Sequence, residues 1–155
     1  VSIDRRCHFS RLVPFGGGQR TRAVAERTGL PPVEAEALKN ACGLLGEVAE
    51  GWDQDTVAEV RHALALGARP LVQEVRRSLD YYGSQSFARP IDRLVLSGGT
   101  ALCAGLDRYL QQALGLPVEL GDPMRHLDAP GDVAPDVAAR SAVAVGLALD
   151  GSGDS

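Results

Sequence analysis

Apolar positions fall at Val57, Val60, Leu64, Gly67, Leu71, Val75, Leu79 and Tyr82, a three-four spacing kept from residue 57 to residue 82. That spacing predicts a long amphipathic helix with one seam on a core. Pro70 falls inside it, and its ring clashes with the carbonyl of residue 66, so a kink or a split is expected there. Upstream, Thr21, Val24 and Ala25 recur at helical spacing in "QRTRAVAERTGL", with Gly29 as the stop. Pro31-Pro32 opens a second helix, Val33 to about Leu45, with Glu34 and Glu36 at its positive end. Val1 to Ile3 and His8 to Phe15 flank the polar patch Asp4-Arg5-Arg6 and read as a hairpin. "GEVAEGWDQ" is a loop or a helix end.

Past the long helix the pattern switches to strand Arg93–Leu96, helix Thr100 to about Leu114 ended by Gly115, and strand Val118–Leu120. A loop, "GDPMRHLDAPGDVAP", leads to a last helix in "DVAARSAVAVGLAL", whose small residues suit close packing on a sheet, and residues 151–155 form a frayed tail. Strands mixed with helices make the class α/β. Residues of about 1–15 and 88–150 would supply one mixed, sheet-containing core flanked by helices. Residues of about 16–87 would form a helical insertion and the connecting helix.

Composition narrows the function classes. The 155 residues suit one domain, 45% apolar and 23% charged. Net charge is −4 and no basic run exceeds two residues, so the footprint of a nucleic-acid binder is missing. Cys7, Cys42 and Cys103 are odd in number and far apart, which fits a reduced compartment, and no ligand spacing marks a metal site. No apolar run approaches the roughly 20 residues that span a bilayer. Val1-Ser2-Ile3 already reads as a strand in progress, so the chain is expected to be part of a longer protein.

The candidate chemistry lies at the glycines. Gly98-Gly99-Thr100 stands between a strand and a helix, where glycine lets a ligand approach and backbone N–H groups face an open surface, with Thr100 as a helix cap. A lone Gly-Gly serves a tight turn equally well. A second such element, Gly16-Gly17-Gly18, precedes the first helix. Between the two, Glu36 and Lys39 share a helix face, as a solvated ion pair or as a carboxylate and an ammonium for the hydroxyls of a ribose. "RRSLDYYGSQSFARP" holds the densest aromatic cluster; Tyr82 is expected in the core, with Arg76 or Arg77 solvated.

The order strand–glycines–helix, Glu-x-x-Lys, long helix, strand–Gly-Gly–helix resembles the second half of the actin-like nucleotide-binding fold. More closely, "FSRLVPFGGGQRTRAVAERTGLPPVEAEALK", "VQEVRRSLDYYGSQ" and "RLVLSGGTALCAGLDRYLQQALGLPVELGDP" resemble the PilM family of type IV pilus assembly proteins, relatives of FtsA, over residues of about 10 to 150. The resemblance implies the C-terminal lobe of an actin-like (ribonuclease H-like) ATPase domain. It implies ATP with Mg2+ bound between two lobes, and a cytoplasmic protein peripheral to the inner membrane. It implies a PilN-like membrane protein as partner, engaged through its cytoplasmic N-terminus, with self-association as a further option.

Carried over by position, the resemblance places Gly17 at the sugar and phosphates with Gly16 shaping the turn. Glu36 and Lys39 take the ribose, and Gly98, Gly99, Thr100 and Leu102 take the adenine. Heat-shock chaperones of the superfamily sandwich adenine between two arginines; the matching positions here are Asn40 and Leu102, so no cation–π contact is available. The first phosphate loop, the Asp-x-Gly before the initial strand and the partner-binding lobe have no counterpart in the chain, so most magnesium ligands are expected outside it. Two other readings share the fold: the lobe of a sugar or acetate kinase, and an actin-like scaffold without nucleotide.

Overall fold

The computed structural model describes residues 1–4, 6–13, 15–45, 52–125, 127 and 133–151, the side chains of 135, 150 and 151 excepted. Its elements run β1 (Ser2–Ile3), β2 (Arg6–Cys7), α1 (Gly17–Thr28), α2 (Pro32–Cys42), α3 (Gln54–Gly83) and β3 (Leu94–Leu96). A 3-10 turn (Gly99–Leu102) follows, then α4 (Leu106–Leu114), β4 (Val118–Leu120), α5 (Pro135–Arg140) and α6 (Ala142–Gly151). The loop expected at "GEVAEGWDQ" lies largely outside the described residues, as do part of the 121–135 loop and the tail beyond 151.

The helices start and stop where backbone chemistry directs. Gly29 takes φ 70° and returns its N–H to the Ala25 carbonyl at 2.8 Å, closing α1 as expected. Helix α2 carries Pro32 in its first turn and ends at Cys42, three residues before the expected Leu45. The stop is Gly43, at φ 58° and ψ −173°, a backbone region open essentially to glycine. Asp53 caps α3 by accepting from the Thr56 N–H at 2.8 Å, a cap the spacing of apolar residues did not reveal.

Helix α3 runs unbroken for 30 residues through Pro70, so the expected split does not occur. Pro70 lies on the exposed face, so the carbonyl one turn earlier that loses its helical partner is not left open in the core. Val57, Val60 and Leu64 are buried as the seam requires. Beyond them Ala68 and Val72 are buried while Gly67, Leu71, Val75 and Leu79 become half-buried. A straight helix at 3.6 residues per turn drifts away from a seven-residue repeat, so the buried stripe moves round the helix. The core joins Val24 of α1, Leu38 and Cys42 of α2, this stripe of α3, and Leu106 and Leu110 of α4. Each such leucine contributes roughly 1.5–3 kcal/mol by leaving water.

The sheet departs from expectation. β1 and β2 pair antiparallel, Ser2 opposite Cys7 and Ile3 opposite Arg6, around Asp4 at φ 49°. The second strand is thus earlier and shorter than His8–Phe15, because pairing ends where the Val1 carbonyl takes the His8 and Phe9 N–H groups. β3 and β4 pair in parallel across α4, Leu94 opposite Val118 and Leu96 opposite Leu120. Among the described residues these are two separate two-stranded sheets rather than one mixed sheet. Between them lies a cleft of about 870 Å³ lined by residues 1–4 and 89–95.

Two expected helices are each divided. The one from Thr100 opens as the 3-10 turn, passes through Gly105 at φ 76° and only then becomes α4. The last breaks at Ser141 into α5 and α6, and α6 exposes Val143 and Leu147 instead of packing its small residues on a sheet. Tyr82 is buried and touches Phe9 and Phe87 with ring centroids 6.4 and 6.3 Å apart, as its place in the seam predicts. Arg76 is not merely solvated, because it donates to the Ala113 carbonyl at the end of α4. Among the described residues no helix is long and apolar enough to cross a membrane.

Candidate functional site

Lys39 is the centre of the site. It lies on the buried side of α2, 5% exposed, where an ammonium needs every donor satisfied. Its Nζ donates to Glu36 Oε2 at 2.6 Å and to Thr21 Oγ1 at 3.0 Å. Thr21 in turn holds its single proton between the Glu36 carboxylate and the Gly17 carbonyl, the latter at 3.1 Å. The Glu36 side chain is half exposed, so the pair has one buried end and one wet end. Hydrogen bonds from Lys39 first and Thr21 second hold the Glu36 carboxyl below the ordinary carboxylate range.

Gly17 brings the two glycine elements together. A Cβ built there would stand 3.8 Å from Lys39 Nζ and 3.8 Å from Thr100 Oγ1. The first turn of α1 therefore faces both the ammonium and the Thr100 hydroxyl across a hydrogen at Gly17. The N-cap, Gly16, offers no side-chain cap and no acidic residue lies in that turn, so the positive end of the helix dipole meets no carboxylate from its own first turn. The donor set of amides, ammonium and hydroxyls, beside one carboxylate, fits a ligand bearing both hydroxyls and an anion.

Two interlocked glycines hold α2 against the Thr100 turn. A Cβ on Gly43 would stand 2.6 Å from the Ala104 Cβ and carbonyl oxygen, and one on Gly105 would stand 2.5 Å from Leu45 Cβ and 2.6 Å from Leu45 N. The Leu44 N–H donates to the Ala104 carbonyl at 2.7 Å across the same junction. Close backbone contact of this kind requires glycine on both sides.

Of the residues singled out in the sequence, Gly17, Glu36, Lys39 and Thr100 converge. Gly16 is the N-cap of α1 and opens on free space. Gly98 has φ 86°, but its N–H is committed to the Ala139 carbonyl at 2.8 Å, and a Cβ on Gly99 would face Arg140 Cγ at 3.9 Å. The open N–H surface expected at this pair is thus partly closed by α5. Thr100 caps neither the turn nor α4, whose N-caps are Gly98 and Gly105. Leu102 is half-buried at the end of the turn. Thr21 was missed as a site residue because its spacing with Val24 and Ala25 reads as packing; its place four residues after Gly17, on the same face, was the available signal. Among the described residues no group of three or more His, Cys, Asp or Glu could hold a metal ion.

The family model for the type IV pilus assembly protein PilM matches residues 1–152. A solved structure of a "PilM-PilN type IV pilus biogenesis complex" superposes with a TM-score of 0.65 at 26% identity, covering 91% of this chain and 38% of that one. The chain belongs to the type IV pilus assembly protein PilM family, and it spans well under half the length of the chain it matches in that complex.

Proposed function

We propose that this chain is the C-terminal, actin-like lobe of an ATP-binding type IV pilus assembly protein. It would act in the cytoplasm, peripheral to the inner membrane, and scaffold the assembly platform through nucleotide-dependent interaction with a PilN-like membrane protein. The observation that carries the nucleotide reading is the meeting of Gly17, Thr21, Glu36, Lys39 and Thr100 around one buried ammonium. Family membership and the likeness to the PilM-PilN complex support the pilus role and the partner.

Each residue has a definite task in that reading. The wet oxygens of Glu36 accept from ribose hydroxyls, while Lys39 fixes the carboxylate and carries the positive charge. Gly17 lets the sugar and phosphates approach the uncapped turn of α1, and Thr100 offers a hydroxyl from the opposite wall. ATP would supply charge and shape that close two lobes on each other; Mg2+ would draw its ligands mainly from outside this lobe. A carboxylate acidified by two donors is a poor general base, which favours binding over phosphotransfer at this site.

Calorimetry with MgATP on the full-length protein and on the Glu36→Ala, Lys39→Ala double variant tests the reading. Micromolar binding, lost in the double variant, is the expected result. Absence of binding by the well-folded protein would refute it and leave an actin-like scaffold.

A further inference from the structure

Two strand edges face the cleft between the sheets, and among the described residues no strand lies between them. In β3 the Leu94 N–H goes to the Pro117 carbonyl at 2.8 Å and the Leu96 carbonyl takes the Gly121 N–H at 2.7 Å, so both residues turn their backbone groups to β4. Backbone groups alternate from edge to edge along a strand, which points the N–H and C=O of Val95 the other way. In β1 the Val1 carbonyl takes the His8 N–H at 2.9 Å, and the same alternation points the Ser2 N–H and C=O away from β2. Ser2 and Val95 both line the cleft of about 870 Å³, with Ile3 on one wall and Ile91 and Leu94 on the other. Val95 itself is 52% exposed. An apolar strand edge with open N–H and C=O groups is a template for a further strand, and a two-stranded ribbon is marginal alone.

We propose that the cleft is an acceptor groove for one extended strand, supplied by the part of the same protein that lies outside these 155 residues. The proposal rests on the reading of the chain as one lobe of a longer protein. The chain matched in the PilM-PilN complex has well over half its length outside the matched stretch, enough to supply such a strand. A second copy fits poorly: its β3 and its β1 each already carry a strand on the other edge, and that strand would meet the facing sheet. A single strand paired on both edges is buried between them, which suits a permanent part of the fold better than a ligand that comes and goes. It bonds Ser2 on one side and Val95 on the other, setting β1 and β3 about 9.5 Å apart, twice the spacing of neighbouring strands. The order β2-β1-strand-β3-β4 then makes one mixed sheet, antiparallel at one end and parallel at the other.

Hydrogen exchange followed by NMR on the full-length protein tests this. The Val95 and Ser2 amides are expected to exchange at least about a hundredfold more slowly than free peptide, at every protein concentration. Cross-strand contacts from both residues should lead to one segment outside residues 1–155. Val95 and Ser2 exchanging at free-peptide rates, while Leu94 stays protected by its bond to Pro117, would overturn the proposal. Protection that fades on dilution would assign the strand to a second copy, and protection that appears only with an added partner protein would assign it to that partner; either overturns the occupant named here. The intact mass of the native polypeptide is read alongside. A mass equal to 155 residues would overturn the lobe reading itself, whereas a longer polypeptide with unprotected Val95 overturns the strand alone.

Discussion

The Lys39 ammonium lies 2.6 Å from the Glu36 carboxylate, yet the cation side chain is 6% exposed and the carboxylate 48%. The two ends of one ion pair therefore carry different risks. Removing Glu36 leaves a buried ammonium with Thr21 as its remaining acceptor, whereas removing Lys39 leaves a carboxylate that water can reach. Glu36→Ala is expected to cost about 1–2 kcal/mol, discounted for the wet side of the pair, and Lys39→Met less than about 1 kcal/mol. Glu36→Ala on a Lys39→Met background should cost almost nothing further. Urea unfolding of the four proteins measures this, and a larger loss for Lys39→Met than for Glu36→Ala would contradict it.

The same pair sets a pH dependence. Folding lowers the Glu36 pKa from its ordinary 4.5, through the hydrogen bonds from Lys39 and then Thr21. A depressed folded value means the native state favours the carboxylate, so this stability is fully present above about pH 4.5 and fades as pH falls through the folded value. Asp53 is lowered too, by its cap to Thr56, and loses its share in the same direction. The wild type should therefore lose urea resistance below about pH 4.5 more steeply than Glu36→Gln, the two curves running parallel between about pH 5.5 and pH 7. Curves that stay parallel down to acid would rule out Glu36 as a source of the acid sensitivity.

Periodicity and glycines made most of this legible beforehand. The stop at Gly29 and the strands, expected at Arg93–Leu96 and Val118–Leu120 and found at Leu94–Leu96 and Val118–Leu120, follow from local chemistry, whereas the grouping of Gly17, Glu36, Lys39 and Thr100 was what the family resemblance implied. What stayed hidden depends on contacts between distant segments. Thr21 reads as packing until Lys39 comes within 3.0 Å of it. Gly105 looks like one more helix residue until Leu45 is seen to press against it. The burial of Lys39 and Arg20, two ordinarily surface-type residues, has no sequence signature at all.

Pro70 offers a test of how α3 tolerates its own breaker. It sits exposed in the middle of an unbroken helix, where it withholds an N–H from the carbonyl one turn earlier. Pro70→Ala restores that hydrogen bond and removes the ring clash, against a smaller loss from a looser unfolded chain. A net gain of about 1–3 kcal/mol is expected, visible as a higher midpoint in thermal and urea unfolding. A loss would show that a bend at Pro70 is needed for α3 to reach both α1 and α4.

The junction between Gly43 and Gly105 is the mechanical link of the site, because it ties the helix carrying Lys39 to the turn carrying Thr100. Gly105 stands at φ 76° with Leu45 backbone atoms 2.6 and 2.8 Å from where a Cβ would be. Gly105→Ala must therefore meet both a left-handed backbone and a collision with main chain that cannot rotate away. The first costs about 1–2 kcal/mol and the collision adds a similar amount, so a loss of about 3 kcal/mol is expected. Gly115→Ala is the control: φ is 71° there too, but nothing lies within 4 Å of an added Cβ, so only the backbone cost applies. If the junction also sets the distance from Lys39 to Thr100, Gly105→Ala should weaken ATP binding in protein that is still folded, and Gly115→Ala should not. Equal unfolding midpoints for the two variants would mean that Leu45 yields freely and that the junction does not hold the site.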